Sequence, residues 1–261
     1  MRPKLLPIVS AWLGDNLTYL EKLCLTSMVN TGHEVYLYSY NDIKGVPSGV
    51  KIREASEIMA RDEFISYRNG SYALGSNIFR YKILHQQPCI WVDTDMFLLK
   101  AIQPSDGYVF GWEDDLYINT AVLSLPSESE ILSDIRDLLS QDPFFAPWWT
   151  EDQKELQDEA CRQGAHLSLA DLPWATTGPK LVTHYARKNN VSRYASPPQT
   201  FYPIHWQDFK LPFVAGDPVG HALTEESVGV HFWNHMLGDI KDSPQRGSFV
   251  WQQCERLDIR I

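Results

Sequence analysis

The segment CIWVDTD, residues 89–95, ends an apolar run with two carboxylates, Asp93 and Asp95. On a β-strand, side chains two positions apart leave the same face, about 6.6 Å from each other along the chain. Two anions at that spacing repel each other unless a cation lies between them, and Mg²⁺ and Mn²⁺ bind carboxylate oxygens together with substrate phosphates. The pair therefore predicts a metal-bridged diphosphate site, with a solvated turn at a strand end as the alternative.

Alternating strands and helices are predicted to position this carboxylate pair. Apolar runs typical of buried strands alternate with longer segments of helical periodicity. The predicted strands are LLPIVSAW, EVYLYSY, CIWVDTD, YVFGWEDD and INTAVLSLP, and the predicted helices are NLTYLEKLCLTSMVNTG, SNIFRYKILHQQ, SESEILSDIRDLLSQ and EDQKELQDEACRQG. This order predicts an α/β fold with a mainly parallel central sheet flanked by helices. Such sheets bind ligands at the carboxyl ends of their strands.

Composition and charge limit the function classes. The chain has 261 residues, 44% of them hydrophobic, and without repeats or linkers it predicts a single domain over residues 1–261. The net charge of −10 argues against nucleic acid as a partner, because backbone phosphates require clustered Lys and Arg. No apolar run approaches the roughly 18 residues of a membrane-spanning helix. We therefore expect a cytoplasmic protein, with peripheral membrane association as an option.

A longer block around the carboxylate pair resembles a known family. The stretch SNIFRYKILHQQPCIWVDTD is similar to the SDxxRxxxLxxxGGxYxDxD block of the DxD glycosyltransferases, particularly glycosyltransferase family 32. Further pieces follow the family's order, namely SAWLG, INTAVLSLP, TGP, FYPIHW and HFWNH. Two positions depart from the pattern: Asn77 replaces an acidic residue, and Gln87-Pro88 replaces a Gly-Gly turn. These departures put in doubt a donor contact and the turn into the strand.

The resemblance implies a fold and a reaction. It implies a GT-A type nucleotide-diphospho-sugar transferase fold, with donor binding by about residues 1–126 and acceptor binding by about residues 127–261. The implied activity is metal-dependent transfer of a hexose from a nucleotide sugar, with UDP-hexose as the default donor and Mn²⁺ or Mg²⁺ as the ion. The acceptor would be a glycan or a lipid-linked glycan in polysaccharide biosynthesis, and the family implies retention of the α configuration.

The resemblance also implies roles for individual residues. Asp95 and His231 would bind the metal together with Asp93, which would ligate it directly, bind it through water or hold the ribose. A zinc site formed by His231 and His235 is the weaker interpretation, because no third ligand is evident. The residues implied or proposed to contact the donor are Trp12, Gly14, Tyr40, Asn77, Arg80, Asp93, Thr94 and Gly178. For the aromatic residues the alternative is a core position, and for Arg80 it is a structural ion pair.

The segment GWEDD, residues 111–115, supplies candidate catalytic carboxylates. If the strand continues, Glu113 and Asp115 share one face and Asp114 takes the other, so the three cannot all enter one site. We choose Asp114 as the catalytic candidate, with a solvated acidic turn as the alternative. Asn119 and the segment 174–178 are candidate acceptor or sugar contacts.

Three other function classes are alternatives to a glycosyltransferase. A glycoside hydrolase would use two carboxylates about 5 to 9.5 Å apart across a sugar, which a pair two residues apart on one strand fits poorly. A metal-dependent phosphoesterase normally has more His and Asp ligands or a basic surface. A catalytically silent sugar-binding protein would use the same aromatic residues without turnover.

Overall fold

The structure is a computed structural model and describes residues 5–261. Its strands are β1 (Ile8–Ala11), β2 (Val35–Ser39), β3 (Val50–Glu54), β4 (Ile90–Val92), β5 (Met96–Leu98), β6 (Val109–Trp112), β7 (Ile118–Ser124) and β8 (Gly229–His231). Its α-helices are α1 (Tyr19–Asn30), α2 (Ala73–Gln86), α3 (Glu130–Leu139), α4 (Glu151–Arg162), α5 (Pro179–Lys188), α6 (Pro198–Phe201), α7 (Pro218–Ala222), α8 (Asn234–Leu237) and α9 (Phe249–Arg256).

Six strands form the central sheet, in the order β3-β2-β1-β4-β7-β6. The strands from β3 to β4 are parallel to their neighbours, and β7 pairs antiparallel with both β4 and β6. The predicted α/β class with a mainly parallel central sheet is confirmed. Because β1 and β4 are adjacent and parallel, the residues that follow them emerge at the same edge of the sheet.

Both faces of the sheet are buried except at its edge strand β3, as the near-continuous apolar runs of the other strands predict. Along β4, Ile90 and Val92 lie in the core cluster that contains α1, whereas Trp91 lies in the cluster that contains α2, α3 and α5. Side chains alternate across a strand, so β1, β2, β4, β6 and β7 each contribute to both clusters. The two layers of helices hold the sheet edge, and the loops that follow its strands, in a fixed position.

A second, two-stranded sheet brings the C-terminal part of the chain to this edge. β5 pairs antiparallel with β8, with Met96 opposite His231. β5 begins directly after the Asp93–Asp95 segment, so the pairing places His231 beside the two carboxylates although 136 positions separate it from Asp95. Among residues 5–261, no helix is both long enough and apolar enough to cross a membrane.

Candidate active site

The two carboxylates of the DTD segment lie in a turn between β4 and β5. The backbone N–H of Met96 donates to the carbonyl of Asp93 at 3.0 Å, which closes the turn. The expected strand geometry for this segment is therefore wrong, because β4 already ends at Val92. The turn nevertheless brings the side chains together. Asp93, Asp95 and His231 each have one ligand atom within 4.8 Å of the ligand atoms of the other two.

Asp95 is held by the chain that follows β8. Its Oδ2 accepts a hydrogen bond from the backbone N–H of Asn234 at 2.9 Å and lies 3.3 Å from Nε2 of His231. Trp233 makes this contact possible with a left-handed backbone, at φ 53°, which turns the chain back toward Asp95. Burial raises the pKa of Asp95, but the neighbouring His231 and the hydrogen bonds outweigh it and lower the pKa to about 2.

His231 is buried beside this carboxylate. Its Nδ1 has no hydrogen-bond partner in the described residues. Burial lowers the pKa of His231, but the charge of Asp95 and the hydrogen bond to it outweigh burial and raise the pKa above its ordinary 6.5. Two carboxylates and an imidazole that converge on one point are a ligand set that a divalent cation accepts. The three side chains therefore fit a metal, and their role as ligands stays a prediction.

Asp93 is fixed from the opposite side by Arg80. Its Oδ1 accepts hydrogen bonds from Nη2 of Arg80 at 2.7 Å and from the indole of Trp91. The guanidinium lies 4.9 Å from the Trp91 ring centroid, and its Nη1 donates to Oδ1 of Asn77 at 2.6 Å. The Arg80 side chain is only 3% exposed. Arg80 thus forms the ion pair that its alternative interpretation expected, but with a carboxylate of the DTD segment itself.

The GWEDD segment folds differently from the strand that alternation assumed. Residues 113–117 form a turn, in which the N–H of Glu113 donates to the carbonyl of Tyr117 at 2.9 Å. Oδ1 of Asp114 accepts from the backbone N–H groups of Leu116 and Tyr117, both at 2.8 Å. One oxygen of Asp114 is therefore engaged in shaping its own turn.

Glu113, in the same turn, is held by the side chain of Asn119. Asn119 donates its side-chain N–H to Oε2 of Glu113, and its Oδ1 accepts from the N–H of Ala121 at 2.7 Å. Burial raises the pKa of Glu113, whereas the Asn119 hydrogen bond opposes that shift. The catalytic assignment of Asp114 and Asn119 stays a prediction, and Glu113 joins them as a candidate.

These residues line one cleft, with a cavity of about 950 Å³. Ten of the twelve predicted site residues lie on its walls: Trp12, Gly14, Asn77, Arg80, Asp93, Thr94, Asp95, Asp114, Asn119 and His231. The structure does not place the other two there. Tyr40 donates its hydroxyl to the carbonyl of Met59 at 2.7 Å. Gly178 lies behind Asn77, where a Cβ would come within 3.0 Å of the Asn77 Nδ2.

Several cleft residues were not predicted from the sequence. Trp91, Asn234 and the exposed Tyr72 and Trp206 line the cavity. Trp206 lies in FYPIHW, and Asn234 lies in HFWNH, two of the short pieces that match the family's order. Aromatic residues inside such pieces were the available signal, whereas nothing in the sequence marks a backbone donor such as that of Asn234.

Part of the chain matches a family of known proteins. Residues 170–254 match the family described as the alpha 1,4-glycosyltransferase conserved region. This match confirms the predicted enzyme class, a glycosyltransferase, and with the Asp93, Asp95 and His231 cluster it confirms the resemblance to DxD glycosyltransferases. The matched region contains β8, and with it the histidine that meets the DTD segment.

Searches of curated proteins and solved structures add the following findings. No curated protein matches the chain at a significant level. Among solved structures, PaToxG glycosyltransferase is similar at a TM-score of 0.45 and 13% identity, over 73% of this chain and 72% of that one. A transferase mutant with two cysteines replaced by serine is similar at a TM-score of 0.36 and 14% identity, over 63% of this chain and 88% of that one.

Proposed function

We propose that this glycosyltransferase is metal-dependent, has a GT-A type fold, and transfers a hexose from a nucleoside diphosphate sugar, UDP-hexose by default, to a glycan with retention of configuration. The observation that carries the proposal is the convergence of Asp93, Asp95 and His231 within 4.8 Å. Two carboxylates that converge with an imidazole favour chelation. Two carboxylates that flank a sugar, as in a glycoside hydrolase, would not need the histidine.

Different cleft residues would contact different parts of the donor. Mn²⁺ or Mg²⁺ held by the three ligands would neutralise the diphosphate as it leaves the anomeric carbon. Trp12 and Gly14 follow β1 and would frame the base and ribose at the carboxyl edge of the sheet. Arg80, already paired with Asp93, would orient that carboxylate and add positive charge near the phosphates.

The acceptor side is proposed from the same cleft and from the family description. A 1,4 linkage is made to the hydroxyl on carbon 4 of a second sugar, so we infer a saccharide acceptor, free or lipid-linked. Glu113, Asp114 and Asn119 line the cleft where such a hydroxyl would approach. Asn119 would keep the carboxylate of Glu113 in place through its side-chain hydrogen bond.

Removal of the metal tests this function. Release of nucleoside diphosphate is measured across a panel of UDP-, GDP- and dTDP-sugars with Mn²⁺ present. In excess EDTA we expect release to fall at least about 100-fold and to return when Mn²⁺ or Mg²⁺ is added back, because anionic Asp93 and Asp95 repel a diphosphate without a bridging cation. Full activity in excess EDTA would contradict metal dependence, and no release from any donor would contradict the transferase function.

Arg80→Lys is expected to weaken donor binding about 10-fold while the fold is retained. Lysine keeps the positive charge but lacks the planar fork whose two nitrogens bond Asn77 and Asp93 separately and which stacks on Trp91. Calorimetric titration of UDP in the presence of Mn²⁺ measures the affinity, and a thermal melt checks the fold. Arg136→Lys is the control, because that side chain is 54% exposed on α3. Unchanged UDP affinity in Arg80→Lys would leave Arg80 in a purely structural ion pair.

A further inference from the structure

Exposed aromatic side chains gather at the cleft. In the part of the chain that the structure describes, the exposed aromatic residues are Tyr72, Trp174 and Trp206, and all three line the cavity. The part of an aromatic ring that stays in water contributes no apolar burial on folding, whereas it can bury apolar area against a ligand. The position of these rings therefore points to a ligand with an apolar face.

Trp174 is the best-positioned of the three. Its indole stacks on the ring of His235, with centroids 5.3 Å apart and planes 29° apart, and lies 5.8 Å from the Tyr67 ring. Tyr67 is itself fixed by a hydrogen bond of 3.1 Å between its hydroxyl and Oγ1 of Thr177. Trp174 is nevertheless 46% exposed. Two neighbours thus hold the ring in place while almost half of its surface remains open to the cleft.

The backbone next to Trp174 is also in an uncommon conformation. Ala175 has φ 71°, in the left-handed region that residues other than glycine rarely adopt. Such a conformation costs free energy, and structures keep it where the surroundings or a function require it. It adds to the evidence that the orientation of this tryptophan is specified by the fold.

The charges of the cleft limit what could stack there. Its acidic side chains are Asp93, Asp95, Glu113 and Asp114, against the single guanidinium of Arg80. A metal would offset part of this charge, but a nucleoside diphosphate brings negative charge of its own. A second anion is disfavoured, whereas a neutral pyranose has an apolar C–H face for an aromatic ring and hydroxyl groups for the polar side chains.

We propose that Trp174, supported by His235, is the platform on which a neutral pyranose ring of the acceptor glycan stacks. The proposal rests on the proposed transferase function. The donor contacts proposed above lie on the loop after β1 and on α2, whereas the Trp174 ring rests on α8, in the segment that follows His231. An acceptor placed there would meet the donor across the DTD turn.

The test separates acceptor binding from donor chemistry. Trp174→Ala is compared with the wild type in two assays with Mn²⁺: hydrolysis of the nucleotide sugar by water, and transfer to the methyl glycosides of glucose, galactose and mannose. We expect the acceptor KM to rise about 10-fold, while donor KM and the hydrolysis rate stay within about twofold. Trp174→Phe should recover most of the loss. Leu156→Ala, which truncates a 71% exposed side chain on α4, is the control.

His235→Ala provides an independent variant. It should raise the acceptor KM without changing Mn²⁺ affinity, and His235→Phe should restore the acceptor KM because a ring again supports Trp174. A donor KM that rises as much as the acceptor KM in Trp174→Ala would place the donor on this ring and overturn the proposal. An acceptor KM that does not respond to Trp174→Ala would overturn it as well.

Binding without turnover distinguishes failure of this proposal from failure of the transferase function. Saturation-transfer NMR of the same methyl glycosides, with Mg²⁺ and UDP present, reports binding even if no donor is consumed. We expect signals for the wild type that are largely lost in Trp174→Ala. If nucleotide sugars are hydrolysed normally but these signals persist in Trp174→Ala, the platform is wrong and the transferase function stands. If no donor is turned over and the signals depend on Trp174, the function fails and the sugar site stands.

Discussion

Asp95→Asn is expected to lower the rate of glycosyl transfer on the order of 1,000-fold. The substitution keeps the shape of the side chain but removes the negative charge that faces His231 at 3.3 Å and would face the cation. The amide also has only one oxygen. In the wild type, the backbone N–H of Asn234 already donates to one of the two oxygens of Asp95. An asparagine would therefore retain the contact to the chain after β8 while offering a much poorer metal ligand.

The measurement is steady-state release of nucleoside diphosphate at saturating Mn²⁺, with a thermal melt to check the fold. Asp152→Asn serves as the matched control, because Asp152 is an exposed aspartate in the first turn of α4. Transfer by Asp95→Asn within about 10-fold of the wild type would mean that Asp95 supports the turn but does not hold the ion.

Five strands of the central sheet could be predicted because they are apolar runs bounded by polar turns, and helices α1 to α4 could be predicted because they carry the helical period. Three strands were not predicted. β3 has the sequence VKIRE with mostly exposed residues, so it has no buried face to detect. β5 and β8 have three residues each, and their pairing depends on contacts between distant parts of the chain. That pairing is what brings His231 to the DTD turn.

The two departures from the family pattern have local physical explanations. Asn77 uses both ends of its amide: Oδ1 accepts from Arg80, and Nδ2 donates to Oγ1 of Thr177 at 3.1 Å. A carboxylate could accept from both partners but could not donate. Gln87 is extended, at φ −154° and ψ 146°, which is the conformation that a residue before proline prefers. The turn into β4 therefore needs no glycine here.

Strand periodicity alone does not predict the direction of the side chains in the site. Most of the ten predicted residues that line the cleft were implied by the family resemblance, whereas strand periodicity placed DTD and GWEDD on strands that end at Val92 and Trp112. In both cases a carboxylate residue, Asp93 or Glu113, directly follows the last strand residue and begins a turn. Side-chain alternation holds only while the backbone stays extended. The direction of the Asp114 side chain could therefore not be predicted from its position in the sequence.

Mn²⁺ affinity is expected to report whether Asp95 and His231 ligate one ion. His231→Ala and Asp95→Ala should each lower the affinity at least about 10-fold, and the double mutant should lose less than the two single losses combined, because residues in contact are coupled. We expect this coupling because Nε2 of His231 lies 3.3 Å from Oδ2 of Asp95. Calorimetric titration of Mn²⁺ with UDP present measures all four proteins of the cycle.

Two controls accompany this cycle: a variant of His235, which lies close to His231 in the sequence, and the pH dependence of Mn²⁺ affinity. His235→Ala should change Mn²⁺ affinity by less than about twofold, since its ring rests on Trp174 and is no member of the ligand cluster.

Protonation removes the lone pair that a metal needs, and the pKa of His231 is raised above its ordinary 6.5. Wild-type Mn²⁺ affinity should therefore already decline as the pH falls toward 6.5, and this decline should be much smaller in His231→Ala. Wild-type affinity in His231→Ala, or strictly additive losses in the double mutant, would remove the histidine from the ligand set and leave the ion to the DTD turn alone.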